Sequence, residues 1–111
     1  SKDKKSKISH FQDLNHIVLI GAAFKENTDD LRESPTLKIY DKIVNKGINI
    51  VIFDKYIQLN KNYSLISKLE DLKDNCLYVE MFPDLSEERK LLISKINTLN
   101  NIFTYKMWKF N

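Results

Sequence analysis

The sequence is poor in the residues that define several classes of protein. Its 111 residues include a single cysteine, Cys76, which excludes an internal disulfide framework and a metal site built from several cysteines. It has no apolar run of about 18 residues, the length of a membrane-spanning helix, so we expect no membrane partner. Only two glycines are present, Gly21 and Gly47, and each is expected to mark a backbone position of special geometry. These absences favour a single cytoplasmic domain.

Excess positive charge is confined to the amino terminus. The net charge is +3, and residues 1–7, SKDKKSK, supply all of it with four lysines and one aspartate. Fourteen basic and fourteen acidic side chains follow in the remaining residues. A protein that binds nucleic acid usually spreads lysine and arginine over one face of its fold, so we expect no nucleic-acid partner. We interpret residues 1–15 as a tail or the end of a linker, and residues 16–111 as the domain.

Metal ligands are equally scarce. The two histidines, His10 and His16, have no second ligand at the spacing of a metal site, so both are interpreted as structural and no metal is expected. Cys76 lies at the edge of an apolar run, with no histidine near it in sequence. We therefore expect its thiol to be buried and unreactive.

Two apolar runs enclose the clearest helical pattern. Residues 16–21, HIVLIG, and residues 48–53, INIVIF, have the continuous apolar character of strands that are buried on both faces of a parallel sheet. Ser34 and Pro35 have the chemistry of an N-cap and of the first helical position. Apolar residues then recur at helical spacing up to Gly47, which is placed to end the helix in a left-handed conformation.

The second half of the chain has weaker patterns. Residues 63–72 have helical spacing and predict a helix, and residues 76–82, CLYVEMF, predict a third strand. Ser86 predicts the cap of a helix over 87–97, and residues 102–108 predict a fourth strand. This alternation predicts an α/β fold with an open, mostly parallel, Rossmann-like sheet and helices on both faces, a three-layer α/β/α arrangement.

The segment at residues 24–35, FKENTDDLRESP, is the most polar in the chain. It leaves the first strand at its carboxyl end, where ligands of open α/β sheets bind. However, it carries two basic and four acidic residues, and the GAAFKE run that begins at Gly21 is not the glycine-rich phosphate fingerprint. A binding site and a solvated loop with internal ion pairs are equally good interpretations on these grounds. Asp54, after the second strand, could hold a ribose hydroxyl, but without that fingerprint a turn or cap is the better interpretation.

Residues 17–54 resemble the C-terminal, UDP-binding domain of the UDP-glucose and GDP-mannose dehydrogenase family. That domain has a Gly-x-x-Phe-Lys turn after its first strand, then a Thr-x-Asp-x-Arg-x-Ser-Pro run, a helix that stops at a glycine, and a strand that ends in Asp. The matching residues here are Gly21, Phe24, Lys25, Thr28, Asp30, Arg32, Ser34, Pro35, Gly47 and Asp54.

The resemblance implies a specific function. Family members oxidise a nucleotide sugar to a uronate with NAD, as in a UDP-glucose 6-dehydrogenase, and supply precursors for polysaccharide. The partners implied are the nucleotide sugar, with a UDP-sugar favoured, the missing N-terminal and central domains, and a second copy of the full-length protein. Because the family's catalytic cysteine and its main NAD-binding domain precede this domain, we expect no catalytic residue in the chain and no activity from it alone.

The resemblance also assigns residues. Arg32 matches the residue that reaches toward NAD. The residues that would lie along the nucleotide sugar are Phe24, Lys25, Glu26, Asn27, Thr28, Asp29, Asp30 and Leu31. The alternative interpretation is a free-standing, non-catalytic α/β module that binds a nucleotide or a partner protein.

Overall fold

The computed structural model describes residues 14–22, 34–54 and 63–109. These ranges contain five strands, two α-helices and two short 3-10 helices. The strands are β1 (His16–Ile20), β2 (Ile50–Phe53), β3 (Leu65–Ile66), β4 (Cys76–Glu80) and β5 (Phe103–Lys106). The α-helices are α1 (Pro35–Val44) and α2 (Glu87–Ile96), and the 3-10 helices span Leu69–Asp71 and Met107–Lys109.

The five strands form one parallel sheet in the order β3-β2-β1-β4-β5. The chain adds strands on one side of β1 as far as β3, and then crosses back to place β4 on the other side of β1. The strand order therefore reverses between β1 and β4, and the carboxyl ends of these two strands flank the position where open α/β sheets bind their ligands. The predicted α/β fold class is confirmed.

Each face of the sheet has its own apolar core, because successive strand residues point to opposite faces. Leu19 of β1 belongs to the core beneath α1, whereas Val18 and Ile20 belong to the core beneath α2. The α1 core consists of Leu19, Ala22, Leu37, Tyr40, Ile50, Ile52, Val79 and Met81. The α2 core consists of Val18, Ile20, Leu72, Cys76, Tyr78, Leu92 and Ile96. The helices cover both faces, as the sequence pattern predicts.

The ends of α1 follow from the residues that were expected to set them. Pro35 is the first helical residue, and the hydroxyl of Ser34 accepts a hydrogen bond from the amide of Leu37 at 3.3 Å. At the other end Gly47 has a φ of +80°, and its amide donates to the carbonyl of Val44 at 3.0 Å. Such a left-handed residue supplies the helix stop of a Schellman motif.

The helix predicted over residues 63–72 is wrong. The segment instead contains β3 and the first 3-10 helix, because it pairs with the open edge of β2. The amide of Ile52 donates to the carbonyl of Ser64 at 2.8 Å, and the amide of Ser64 donates to the hydroxyl of Tyr40 at 3.0 Å. Backbone pairing along a sheet edge has therefore outweighed a local apolar spacing that suited a helix.

The remaining differences concern element ends. The second predicted strand, residues 48–53, begins at Ile50. The last predicted strand, residues 102–108, spans Phe103–Lys106 and is followed by the second 3-10 helix. The helix predicted over 87–97 spans Glu87–Ile96, and Ser86 caps it as expected.

Candidate functional site

The backbone that leaves β1 is held by three side chains. The amide of Ala22 donates to Oδ2 of Asp54 at 2.7 Å, and the carbonyl of Ala22 accepts from the hydroxyl of Ser34 at 2.6 Å. The carbonyl of Gly21 accepts from the hydroxyl of Thr36, also at 2.6 Å. Asp54, Ser34 and Thr36 are all buried. The exit of β1 is therefore fixed both to the end of β2 and to the start of α1, with each of these buried polar groups paired.

One of these hydrogen bonds also brings together the two residues that flank the segment between β1 and α1. The hydroxyl of Ser34 lies within hydrogen-bonding reach of the carbonyl of Ala22, so the chain leaves the sheet and re-enters the described fold at one point. The segment between them, residues 23–33, contains every predicted site residue, from Phe24 to Leu31 and Arg32, and it lies outside the described residues. The structure thus locates the two residues that flank this segment, Ala22 and Ser34, at the carboxyl end of β1.

A second polar group lies beyond the carboxyl end of β4. Nη1 of Arg89, in the first turn of α2, donates to Oε1 of Glu80 at 3.0 Å and to the carbonyl of Phe82 at 3.1 Å. Nη2 of Arg89 lies 3.8 Å from Oδ2 of Asp84. The exposed fractions of the Arg89 and Glu80 side chains are 10% and 13%. Because both charges are largely removed from water, this pair depends far more on its geometry than a surface ion pair does.

Gly21 lies close to residues of both polar groups. Its φ of +97° lies in the left-handed region, which residues with a side chain rarely adopt. A Cβ atom at this position would lie 3.4 Å from Cδ2 of Phe82 and 3.9 Å from Nη2 of Arg89. The side chains of Phe82 and Arg89 therefore occupy the space that a side chain at position 21 would enter, between the carboxyl ends of β1 and β4.

The carboxylate of Asp84 is held in place by hydrogen bonds. Burial raises the pKa of Asp84, but the amide and hydroxyl of Ser86 and the nearby guanidinium of Arg89 outweigh it, and the net result is a lowered pKa. The amide of Ser86 donates to Oδ1 of Asp84 at 2.8 Å. Asp84 is therefore anionic at neutral pH, as a fixed part of the turn that precedes α2.

The sequence reasoning did not identify the group formed by Arg89, Glu80 and Asp84. Glu80 precedes Arg89 by nine residues, so no local motif joins them. One signal was available: arginine occurs only twice in the chain, as Arg32 and Arg89, against sixteen lysines. A chain that otherwise uses lysine places arginine where the planar guanidinium has geometric consequences.

The other candidates are placed away from this edge. Cys76 begins β4, at the amino end of the strand, and is buried as expected. Burial is the main cause of its raised pKa, so its thiol is protonated at neutral pH.

Within residues 14–22, 34–54 and 63–109, no group of three or more histidine, cysteine or acidic side chains could hold a metal ion. Nor does either α-helix of those ranges combine the length and the apolar character needed to cross a membrane.

The sequence of residues 18–100, about three quarters of the chain, matches the UDP-glucose/GDP-mannose dehydrogenase family, UDP binding domain. The chain belongs to this family. The match confirms the resemblance drawn from residues 17–54, and it extends through β4 and α2 of this UDP binding domain.

Relatives of this UDP-binding-domain chain are named as dehydrogenases. A UDP-N-acetyl-D-mannosamine dehydrogenase of Methanococcus vannielii is 30% identical over 118 residues, covering 92% of this chain and 27% of the relative. A GDP-mannose 6-dehydrogenase of Azotobacter vinelandii is 38% identical over 47 residues, covering 42% of this chain and 11% of the relative. The chain therefore spans 11% to 27% of the length of these curated relatives. No solved structure gives a significant match.

Proposed function

We propose that the chain is the domain that binds the nucleotide end of the substrate in an NAD-dependent nucleotide sugar 6-dehydrogenase. The observation that carries this proposal is the hydrogen bond between Ser34 and Ala22. It places both ends of the family's motif segment at the carboxyl end of β1, beside the point where the strand order reverses. Ligands of open α/β sheets bind at this position.

Within the segment, the proposal keeps the roles implied by the family. Phe24 to Leu31 would lie along the nucleotide sugar, with Lys25 paired to substrate oxygens, and Arg32 would face NAD. Lys25 is the cation that the proposal assigns to the substrate, within a segment that also carries four acidic residues. Around Gly21, Arg89 is outnumbered by Glu80, Asp84 and Asp54, so the described groups alone do not form a site for an anionic diphosphate.

The contribution of such a domain to catalysis is anchoring. Binding energy from the nucleotide, which does not react, orients the distant carbon that is oxidised. NAD would supply the hydride acceptor, and the N-terminal region of a full-length protein would hold it together with the catalytic cysteine. The chain's own part is to bind and orient the nucleotide, and to present Arg32 to the cofactor side.

A UDP-sugar is the favoured substrate, with a UDP-glucose 6-dehydrogenase as the family's example. The relative that aligns with 92% of the chain is named for a UDP-sugar, which supports uridine over guanosine. We further propose that the full-length protein is a cytoplasmic homodimer whose uronate product serves polysaccharide synthesis. The relatives that align over shorter stretches are named for GDP-mannose, so the test must include both nucleotides.

Isothermal titration calorimetry of the 111-residue chain with UDP, UDP-glucose, UDP-N-acetylmannosamine and GDP-mannose tests the proposal. We expect saturable binding that is strongest for a UDP compound, and Lys25→Met should weaken it by about tenfold, as expected when a charged contact is lost. Lys42→Met is the matched control, because Lys42 is an exposed lysine in the last turn of α1. Equal affinities of the two variants would contradict the role of Lys25, and absence of binding by the unaltered chain would contradict the proposal.

A further inference from the structure

The strongest unexplained feature is a partly buried arginine in a chain that uses lysine almost everywhere else. Arg89 has a side chain that is 10% exposed, whereas Lys90, the next residue of α2, is 65% exposed and forms an ordinary surface pair with Glu87. An ammonium group is a point charge on a flexible stem, but a guanidinium presents several donors in one rigid plane. The position of Arg89 therefore indicates a requirement for geometry rather than for charge alone.

The contacts of Arg89 define that requirement. Nη1 bonds to Glu80, the last residue of β4, and to the carbonyl of Phe82 in the loop that follows. Arg89 itself is held in the first turn of α2, where its amide donates to the hydroxyl of Ser86 at 3.1 Å. One side chain therefore joins the end of a strand, the loop after it and the helix that the loop enters.

The same guanidinium lies near Gly21, the residue that follows β1. Among the described residues, the last backbone bond at the carboxyl ends of β1 and β4 joins the amide of Met81 to the carbonyl of Ile20 at 3.0 Å. Immediately beyond it, the Phe82 ring and Nη2 of Arg89 lie beside Gly21. These two side chains therefore lie between the carboxyl ends of β1 and β4, just beyond that backbone bond.

We infer that Arg89 is a positioning residue for the nucleotide site, acting through Glu80 and Phe82 to fix the distance between the carboxyl ends of β1 and β4. This inference rests on the proposed function, since the fixed edge is the one from which residues 23–33 depart. Direct contact between Arg89 and a diphosphate is disfavoured, because Glu80 and Asp84 together carry more negative charge than the guanidinium balances.

The test compares nucleotide affinity in Arg89→Lys, Arg89→Met, Glu80→Gln and the double variant that combines the last two. Lys90→Met is the control for charge and helix position. Titrations with UDP and UDP-N-acetylmannosamine are made at a temperature at which circular dichroism shows every variant to be folded. The double variant removes the charges of Arg89 and Glu80 together, while Asp84 keeps its hydrogen bond from the amide of Ser86, so it guards against loss of folding in Arg89→Met.

We expect Arg89→Met and Glu80→Gln each to raise Kd by about tenfold, and the double variant to raise it by little more, as for residues of one network. Arg89→Lys should restore only part of the affinity, and Lys90→Met should bind normally.

A purely structural role would lower the melting temperature and leave Kd of the folded variants unchanged, which would overturn the inference. Tighter binding by Glu80→Gln would also overturn it, because Glu80 would then compete with the ligand for Arg89. No binding by the unaltered chain would refute the proposed function together with the inference, whereas equal binding by all variants would refute the inference alone.

Discussion

Alanine substitutions at Gly21 and Gly47 distinguish the effect of backbone conformation from the effect of packing at the residue that follows β1. Gly47 is the matched reference. Both glycines have a positive φ, +97° at Gly21 and +80° at Gly47. A Cβ at Gly47 would meet no atom within 4 Å, whereas at Gly21 it would meet the Phe82 ring at 3.4 Å. The two substitutions therefore share conformational strain and differ in what the new methyl group touches.

The expected magnitudes follow from these distances. A residue with a side chain in the left-handed region costs about 1–2 kcal/mol, and the loss of glycine's freedom in the unfolded chain returns about 0.4–1 kcal/mol. Gly47→Ala should therefore destabilise by roughly 1 kcal/mol. A separation of 3.4 Å is the lower edge of ordinary contact, so Gly21→Ala should cost only slightly more, about 1–2 kcal/mol.

Urea denaturation followed by circular dichroism measures both values, and a loss of 1 kcal/mol corresponds to roughly 4–8 °C in melting temperature for a domain of this size. Nucleotide titration then provides the second comparison. Gly21→Ala should weaken binding, because it strains the backbone from which residues 23–33 depart and adds a methyl group against the Phe82 ring, whereas Gly47→Ala should not. A Gly47→Ala variant that loses more stability than Gly21→Ala would refute the reasoning.

Two further predictions concern the acidic residues of this edge. Asp54→Ala should destabilise by about 1–3 kcal/mol in urea denaturation, because it leaves the buried amide of Ala22 without a partner. Asp54→Asn keeps an acceptor oxygen and should cost less, and equal costs would contradict this reading. Asp84 has a lowered pKa in the folded state, so its stabilising contribution is present above its unfolded pKa and is lost as the pH falls below about 4. Acid titration of Asp84→Asn should show a shallower decline than the unaltered chain, and an identical slope would show that Ser86 and Arg89 do not stabilise the carboxylate.

The elements that sequence reasoning predicted are those whose causes are local. α1 has a cap, a proline and a glycine stop within fourteen residues, and β1 has a continuous apolar run. The segment at 63–72 failed because its structure depends on the free edge of β2 and on the hydroxyl of Tyr40, which a local pattern does not contain.

In the candidate site too, residues with a local sequence signal were identified and residues with distant partners were not. Asp54 was identified because it ends a strand, and its bond to Ala22 agrees with a turn-stabilising role. Arg89 was missed because its partners lie on other elements and no spacing rule joins them. The roles of Phe24 to Leu31 and of Arg32 stay predictions, supported by the family match and by the location of the ends of their segment.

The hydrogen bond between Ser34 and Ala22 also has an evolutionary consequence. It joins the two ends of an eleven-residue segment at its base, so the sheet and α1 do not depend on the segment's length or composition for their own connection. Closing a longer loop between fixed ends costs little additional entropy, since each doubling of length adds only about 0.6 kcal/mol. If residues 23–33 bind the nucleotide as proposed, their replacement would change the nucleotide preference while the five-stranded framework stays unaltered.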